Sequence, residues 1–552
     1  MVSKTLFNYA ALATAASASI CPILGPVFPA PSALSSSTAF QDTLKALQSK
    51  IDQAFANGNT SYGSVNPYDT YSIQIFSTAS EELLFDYHRR GPTVLGNQTV
   101  DGDSVYRIAS TTKLITVYLL LIAAGPEVLH DKVTKYLPEL AGEAYWDDMS
   151  VGSLSNYLAG VASELFDTSP LPGGDLAAAF PGALPPLSTN ETLECKYDTN
   201  GCSREAFLRS LLKRPPVYLP NTTPVYSNAA FATLGLVLEA AANATFGDLL
   251  NTLLIAPLHL NGTTVSQPKD LTKAIIPGSA ATSGWDIDFK DTPKAATGGL
   301  FSTPNDMSAI GRAILSSSLL PSTATRAWLK PTSFGSSLIA GVGHGWEIYR
   351  TVVSSEHSRV IDLYTKAGNL PGYGANLILI PDFDVGIVIM MAGQRGTMAT
   401  PIATVIINDV LPALDEAARV QADAAFAGTY TATNGLNSTI KVTSTPGVPG
   451  LSIEEWISNS TDLRSEIIPE TERFQMFPTN RISKDGKQVS WRTTSLFLPE
   501  SGSPFDACAS WVAIDRPNYG LYGLDDFIFH LGEDGKASGL EPRALKIVLE
   551  KT

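Results

Sequence analysis

The order of apolar and polar positions predicts both helices and strands in the first half of the chain. Apolar side chains recur at helical spacing from Thr43 to Ala56, while Tyr71 to Phe76 alternates like a strand, and Glu82 to Tyr87 can return antiparallel to it. The nearly continuous apolar run from Leu114 to Ala124 predicts a helix buried on most faces. Helices beside an antiparallel meander indicate an α/β fold of the α+β type, with an antiparallel sheet flanked by helices.

The second half of the chain contains a buried hairpin and then a change of pattern. The hairpin is predicted from two β-rich runs, Ala375 to Ile380 and Val385 to Met391, which are joined by a tight turn. From about residue 420, short strand-like segments alternate with Gly, Asn and Pro, which predicts a C-terminal antiparallel β domain over residues 420–552. Ala413 to Ala425, directly after a proline, predicts a helix that connects the two parts.

The N-terminal residues predict export from the cell. A lysine near the N-terminus precedes a short apolar stretch and a small-residue cleavage pattern, Ala16-Ser17-Ala18, so residues 1–18 are predicted to be a signal peptide. Residues 19–42, rich in Pro, Ser and Ala, are predicted to form an extended arm. Residues 43–415 then form the main domain of the predicted organisation.

Composition and charge exclude several classes of protein. Of 552 residues, 44% are hydrophobic and only 16% are charged, which describes a folded chain with more than one core. The net charge of −15 argues against a nucleic-acid partner, because binding phosphates requires clustered Lys and Arg. No later apolar run approaches the ~20 residues of a membrane helix, so no membrane anchor is expected. The sequence leaves the oligomeric state open.

Glycosylation acceptors and cysteines agree with a secreted, extracellular glycoprotein. In an oxidising compartment the cysteines should pair, Cys195 with Cys202 across a turn-forming segment and Cys21 with Cys508. A zinc site is disfavoured because no His lies near either pair in sequence. The predicted acceptors, each heading an Asn-x-Ser/Thr triplet, are Asn59, Asn97, Asn190, Asn221, Asn243, Asn261, Asn437 and Asn459.

The pattern Ser-x-x-Lys occurs at four places, and its setting singles out one of them. Ser266 has a proline before its lysine, Ser438 lies inside a glycosylation triplet, and Ser210 lies on a predicted helix surface. Ser110 alone precedes a buried helix, whose first turn places Ser110 and Lys113 on one face. The amine can then take the serine proton, and the helix N-terminus can stabilise an oxyanion.

Two later motifs supply further groups suited to acyl transfer. Tyr226-Ser227-Asn228 is the only Tyr-x-Asn in the chain and precedes a second predicted buried helix. Tyr226 offers a phenol as a second proton carrier, and Asn228 an amide that can orient Lys113 or a substrate carbonyl. Lys366, which opens Lys366-Ala367-Gly368, is expected to face the serine and to lower the pKa of Lys113 and Tyr226.

Together these motifs resemble those of the serine β-lactamase and penicillin-binding-protein family. The resemblance is closest to the class C β-lactamase and esterase branch, in which the second motif is Tyr-x-Asn, and spans about residues 40 to 410. A signal-bearing chain with a β-rich C-terminal part also resembles secreted fungal β-lactamase-related proteins. The resemblance implies a β-lactamase/transpeptidase-like fold and an oxyanion hole formed by the backbone N–H groups of Ser110 and Asn369.

One departure from the family pattern bears on the substrate. Ala367 stands where bacterial β-lactamases usually have Thr, so a hydroxyl that helps to hold a substrate carboxylate is missing. Esters, lactones or amides without that carboxylate are therefore favoured over penicillins. The resemblance implies that the predicted substrate-binding residues are Asn228, Lys366, Gly368 and Asn369.

We therefore predict a secreted serine hydrolase that forms an acyl-enzyme on Ser110, with Lys113 and Tyr226 sharing acid–base catalysis. Its partner would be a small-molecule substrate, and neither a metal nor another cofactor is expected. Two alternatives stay open at this point. One is an acyltransferase that uses the same site, and the other is a catalytically silent binding protein with the same fold.

Overall fold

A computed structural model describes residues 22–96, 98–167, 175–195, 202–353, 359–393, 399–467, 473–496 and 510–552. Contacts within the chain divide it into two units. The larger unit comprises Pro31–Thr351 and Asp362–Ala413. The smaller unit comprises the residues up to Ala30, Val352–Ile361 and Leu414–Thr552.

An eight-stranded sheet forms the centre of the larger unit, in the order β2-β1-β8-β7-β6-β5-β4-β3. Neighbouring strands run antiparallel from β2 through to β6 and again from β5 to β3. The strands are β1 (Thr70–Ser77), β2 (Leu83–Arg89), β3 (Ser333–Phe334), β4 (Ala340–Val342), β5 (Glu347–Val352), β6 (Val360–Leu370), β7 (Tyr373–Ile380) and β8 (Val385–Ala392).

Helices cover both faces of this sheet. The longer ones are α1 (Thr38–Asn57), α2 (Thr112–Ala124), α3 (Asn228–Ala242), α4 (Pro304–Leu315) and α5 (Thr400–Phe426). On one face, Phe55 of α1 packs its ring 4.9 Å from the ring of Tyr71. On the other face, Ser308 of α4 donates a hydrogen bond to the Gln74 side chain. Every residue of β1 and β8 is buried, which explains their continuous rather than alternating apolar pattern.

Shorter elements complete the larger unit. A two-stranded ribbon pairs Tyr106–Arg107 with Phe301–Ser302, and another pairs Asn59–Thr60 with Gly63–Ser64. The shorter α-helices are Ala144–Asp147, Val151–Ser155, Leu176–Ala179, Arg204–Lys213, Phe246–Leu250, Ala256–Leu258, Ala280–Ser283, Ala295–Gly298 and Ser322–Trp328.

Two helices begin earlier than predicted. The extended arm, predicted to reach residue 42, ends at Ser37, whose hydroxyl accepts a hydrogen bond from the Phe40 N–H and caps α1. The helix predicted to start after Pro412 begins at Thr400 and contains Pro412 in its interior. Apolar side chains at helical spacing, Ile402, Ile406, Val410 and Leu414, are all fully buried, and their burial outweighs the ~3 kcal/mol that an internal proline costs.

A closed antiparallel barrel forms the centre of the smaller unit. Each of its eight strands pairs with the next along the chain, and the last pairs with the first. The strands are β9 (Gly428–Thr431), β10 (Thr439–Thr443), β11 (Leu451–Ser458), β12 (Phe474–Ile482), β13 (Gln488–Ser495), β14 (Asp526–Leu531), β15 (Ala537–Pro542) and β16 (Leu549–Lys551).

Aromatic side chains fill this barrel. Trp456, Trp491, Phe527 and Phe529 are each at most 1% exposed, and their rings contact one another edge to face or pack against neighbouring Phe and Tyr rings. Beside the barrel lie the short strand Thr461–Asp462, the helix Leu463–Ile467 and the ribbon of Asn518–Tyr519 with Tyr522–Gly523. The prediction of an α+β fold with a C-terminal antiparallel β domain is confirmed.

The predicted covalent features are described in part. Cys195 and Cys202 form a disulfide, as predicted, with their Cα atoms 4.6 Å apart. The predicted pairing of Cys21 with Cys508, the predicted signal peptide and Asn97 lie outside the described residues. The side chains of the other seven predicted glycosylation sites are exposed.

In the part of the chain that the structure describes, no individual helix has both the length and the apolar character needed to cross a bilayer. Asn228–Ala242 and Phe246–Leu258 meet that requirement only jointly, with a bend of 76° between them.

Candidate active site

Ser110 lies on a tight turn that leads into α2. The ribbon strand Tyr106–Arg107 delivers the chain to a single 3₁₀ turn, Ala109–Thr111, and α2 follows immediately. Ala109 has a φ of 47°, in the left-handed region that a residue with a β-carbon adopts only when the surrounding structure enforces it. This turn places the Ser110 hydroxyl at the N-terminus of a buried helix.

Gly368 on β6 makes the close approach that completes the turn. A β-carbon at this position would lie 2.2 Å from the Ile108 carbonyl oxygen and 2.8 Å from the backbone nitrogens of Ser110 and Thr111. All three atoms belong to the backbone, so no side-chain movement could relieve the overlap. The glycine of the third motif is therefore required because β6 packs directly against the Ser110 turn.

Lys113 is fully buried below Ser110, and its side-chain nitrogen makes hydrogen bonds to three acceptors. Its Nζ lies 2.9 Å from Ser110 Oγ, 2.7 Å from Asn228 Oδ1 and 2.8 Å from the Thr297 carbonyl oxygen. All three acceptors are uncharged. Burial lowers the pKa of Lys113, the nearby Lys366 charge lowers it further, and Tyr226 opposes the shift only in part.

The Asn228 amide is held in one orientation by Glu164. Asn228 Nδ2 donates to Glu164 Oε2 at 2.9 Å, so its oxygen is left to face Lys113. The other carboxylate oxygen accepts hydrogen bonds from the backbone N–H groups of Leu165 and Phe166. Burial raises the pKa of Glu164, and these hydrogen bonds together with the Lys294 charge offset part of that rise.

Tyr226 lies between two ammonium groups. The Nζ atoms of Lys113 and Lys366 lie 5.1 Å and 5.2 Å from the centre of its ring, and the residue as a whole is 41% exposed. Burial alone would raise the pKa of Tyr226, but the two lysine charges and hydrogen bonding with Ser110 and Lys113 outweigh it and lower the pKa. The ring also stacks on Tyr157, with the ring centres 5.8 Å apart.

Lys366 is buried, with 1% of its side chain exposed, and it is bound by a carboxylate. Its Nζ lies 2.7 Å from Glu347 Oε1 and 2.6 Å from the Ala367 carbonyl oxygen. The second Glu347 oxygen accepts a hydrogen bond from the Ala367 N–H at 3.2 Å. Because N–H groups alternate in direction along a strand, the N–H of Asn369 points to the same side as that of Ala367.

A small cavity of about 70 Å³ opens beside Ser110. Lys294, 2% exposed, forms part of its wall, with its ammonium 4.3 Å from the ring centre of Phe166 and 5.3 Å from that of Phe289. Polar and apolar groups both line this cavity, including Ser110, Glu164, Phe166, Asn228, Lys294 and Asn369. It has the mixture of apolar walls and a few placed polar groups that is typical of ligand sites.

The predicted site residues lie together, and four further residues at the site were not predicted from the sequence. Ser110, Lys113, Tyr226, Asn228 and Lys366 form one connected set, with Gly368 and Asn369 on the same strand as Lys366. Their chemical roles stay predictions. No sequence pattern marks the four neighbours, because each is a single residue outside any motif: Glu164, Lys294, Thr297 and Glu347. Over the described ranges, no cluster of three or more His, Cys, Asp or Glu side chains could hold a metal ion.

Comparison with known families gives two matches along the chain. The profile of the family described as Beta-lactamase matches residues 81–411. A second profile, described as Beta-lactamase-like-like, C-terminal domain, matches residues 418–552. The first match alone covers more than half of the chain and contains all the predicted catalytic residues.

Individual relatives span most of the chain. A "Beta-lactamase-like protein" from Arthroderma benhamiae is 30% identical over 590 residues, which cover 97% of this chain and 96% of that protein. "Probable hydrolase M10" from a Phoma species is 28% identical over 488 residues, which cover 85% and 76% of the two chains. A solved D-stereospecific amidohydrolase from a Streptomyces species superposes with a TM-score of 0.46 at 18% identity, over 65% of this chain and 96% of that one. The chain thus belongs to the Beta-lactamase family, a family of serine hydrolases.

Proposed function

We propose that this protein is a secreted hydrolase that cleaves an ester, lactone or amide through an acyl-enzyme on Ser110. One observation carries the proposal: the Lys113 amine lies 2.9 Å from Ser110 Oγ, is fully buried, and makes its other two short contacts with the uncharged oxygens of Asn228 and Thr297. A serine hydroxyl becomes nucleophilic when a nearby base takes its proton. Lys113 is the base that this geometry supports best.

The three contacts of Lys113 give the direction of proton transfer. A neutral amine has two N–H groups and one lone pair. Asn228 Oδ1 and the Thr297 carbonyl oxygen can only accept, so they take the two N–H groups. The lone pair then faces Ser110, whose hydroxyl donates to it. Ser110 Oγ attacks the substrate carbonyl carbon while its proton passes to Lys113.

The backbone supplies the partner for the negative charge that develops. The N–H groups of Ser110 and Asn369 form the proposed oxyanion hole beside the close approach at Gly368. As the tetrahedral intermediate collapses, the carbonyl re-forms and the bond to the leaving group breaks. The proton on Lys113 passes through Tyr226 to the leaving oxygen or nitrogen.

Hydrolysis of the acyl-enzyme uses the same groups in reverse. Tyr226 accepts a proton from water as the water attacks the acyl carbonyl, and at the same time gives its own phenolic proton to Lys113, which is neutral at this stage. The Ser110–acyl bond breaks, and Ser110 Oγ regains its proton from Lys113. The proposed cycle therefore needs no further reactant than substrate and water.

Detection of the acyl-enzyme tests this proposal. With 4-nitrophenyl acetate, we expect a burst of about one nitrophenolate per protein molecule and a mass increase of one acetyl group located on Ser110. Ser110→Ala should fold with an unchanged melting temperature and give neither burst nor adduct. Turnover retained by Ser110→Ala would assign the nucleophile to another residue, and no burst or adduct from a panel of esters and lactams would remove the proposal.

Secretion is the second part of the proposal. It is supported by the predicted signal peptide, the disulfide between Cys195 and Cys202, and the exposure of seven Asn-x-Ser/Thr sites. Expression in a eukaryotic host should release the protein into the medium with a new N-terminus near Ala18 and a mass that falls after treatment with an N-glycosidase. Retention inside the cell with an intact N-terminus would contradict it.

A further inference from the structure

Three lysines lie at the site, and two of them have a carboxylate close by. Lys366 is ion-paired with Glu347 at 2.7 Å, and Lys294 lines the same cavity as Glu164, where its charge offsets part of the rise that burial causes in the pKa of that carboxyl group. Lys113 acts as a neutral base in the proposed cycle. The site therefore contains little unbalanced positive charge with which to attract an anionic substrate.

Glu347 is held in place at the edge of the site. Lys366 binds one carboxylate oxygen and the Ala367 N–H binds the other, so both oxygens are fixed. The side chain nevertheless keeps 25% of its surface exposed. Its negative charge is therefore fixed where an incoming ligand can meet it.

The distance from Glu347 to the reacting carbonyl follows from the strand. Glu347 is bound to Ala367, two residues from Asn369, and two residues of a strand span roughly 7 Å. A substituent about five bonds from the scissile carbonyl carbon can reach that far. At low ionic strength the charge of Glu347 is not screened over such a distance, because the Debye length at 0.1 M salt is about 10 Å.

We propose that Glu347 makes this site selective for uncharged acyl compounds by repelling substrates that carry a carboxylate near the scissile bond. This inference rests on the proposed hydrolase function and names its substrate class. Glu347 binds the Lys366 ammonium, which would otherwise bind a substrate anion, and of these two charged groups only the Glu347 carboxylate is partly exposed. It also occupies the Ala367 N–H, which a substrate carboxylate could otherwise use as a donor.

Matched pairs of esters test this selectivity. The first pair is 4-nitrophenyl hexanoate and mono-4-nitrophenyl adipate, which differ by a carboxylate in place of the terminal methyl group of the acyl chain. The second pair is phenyl acetate and 3-carboxyphenyl acetate, which places the charge in the leaving group instead. For each pair, the ratio of kcat/KM is divided by the ratio of the hydroxide-catalysed rates, which removes intrinsic reactivity.

We expect the wild-type protein to prefer the neutral member of at least one pair by more than tenfold. Glu347→Gln, which keeps the shape but removes the charge, should reduce that preference by about tenfold. The matched control is Asp148→Asn, which also removes one carboxylate from a lysine ion pair, at an exposed site with Lys132. It should leave the preference unchanged.

Ionic strength provides a second measurement that needs no variant. Raising the salt concentration from about 0.02 M to about 0.5 M should weaken the preference of the wild-type protein severalfold, because salt screens the charge of Glu347. If Glu347→Gln does not fold, the salt dependence of the wild-type preference alone tests the role of Glu347.

Two results would overturn the inference while the hydrolase function stands. One is a wild-type protein that turns over both members of each pair equally, and the other is a preference that neither Glu347→Gln nor salt alters. A wild-type protein that forms no acyl-enzyme with any of the four esters removes the proposed function, and the inference falls with it.

Discussion

The surroundings of Lys113 and of Lys366 differ in the charge of the groups that accept hydrogen bonds from the side-chain nitrogen. Both side chains are buried, and both make short hydrogen bonds to fixed acceptors. Lys113 meets a hydroxyl, an amide oxygen and a carbonyl oxygen, whereas Lys366 meets the carboxylate of Glu347. The two residues therefore have opposite uses at the same site.

The difference shows that burial alone does not turn a lysine into a base. Desolvation lowers the pKa of a buried amine, but an adjacent carboxylate restores the preference for the charged form. Uncharged acceptors orient Lys113 without stabilising its ammonium strongly. Lys366, bound to an anion, serves as the fixed cation that lowers the pKa of Lys113 and Tyr226.

Asn228→Asp would give Lys113 the kind of partner that Lys366 has. The introduced carboxyl group and Glu164 would then share a proton, and the negative charge could move next to Lys113. We expect the pKa of Lys113 to rise, so kcat/KM at pH 7 falls roughly 10- to 100-fold and recovers at higher pH. The measurement is the pH profile of kcat/KM. A rate loss with no shift of the profile would show that the amide matters for shape rather than for charge.

Lys366→Met would remove the fixed cation. Because Lys366 lowers the pKa of both Lys113 and Tyr226, its loss should raise both, and the rising limb of kcat/KM against pH should move to higher pH by about one unit or less. At pH 7 the rate should fall about fivefold. Lys132→Met, which breaks the exposed ion pair with Asp148, is the control and should leave the limb in place. A limb that moves to lower pH would contradict this account.

Glu164→Gln tests how the neutral surroundings of Lys113 are maintained. The Gln oxygen can still accept from the Leu165 and Phe166 N–H groups, which turns its NH₂ group toward Asn228 and forces that amide to flip. Asn228 Nδ2 would then face Lys113, and we expect kcat/KM to fall about threefold.

Stability distinguishes this positioning role from a structural one. Because burial raises the pKa of Glu164 in the folded state, the carboxylate costs stability once the pH is above that pKa, and the cost disappears as the pH falls below the unfolded value. The melting temperature of Glu164→Gln at pH 7 should therefore equal or exceed that of the wild-type protein. A lower melting temperature would indicate that Glu164 is needed for the fold.

The sequence predicted those parts of the site that depend on local spacing. Ser110 and Lys113 are one helical turn apart, so their contact follows from the start of α2. Glu164 and Glu347 lie far in sequence from Ser110 and are brought to the site by tertiary packing. No local sequence pattern predicts a buried carboxylate. Pro412 misled the prediction for a related reason, because the burial of α5 outweighed the preference of a single residue.

The closed barrel of the smaller unit has a consequence for the order in which the chain folds. Its ring is complete only when β16 pairs with β9, which joins Tyr430 to Lys551 across nearly the whole length of that unit. Hairpins between consecutive strands can form early because their residues are close in sequence, whereas this last pairing must wait for the longest loop to close. During synthesis on a ribosome, all seven preceding strands of the barrel emerge before β16, the strand whose pairing closes the barrel.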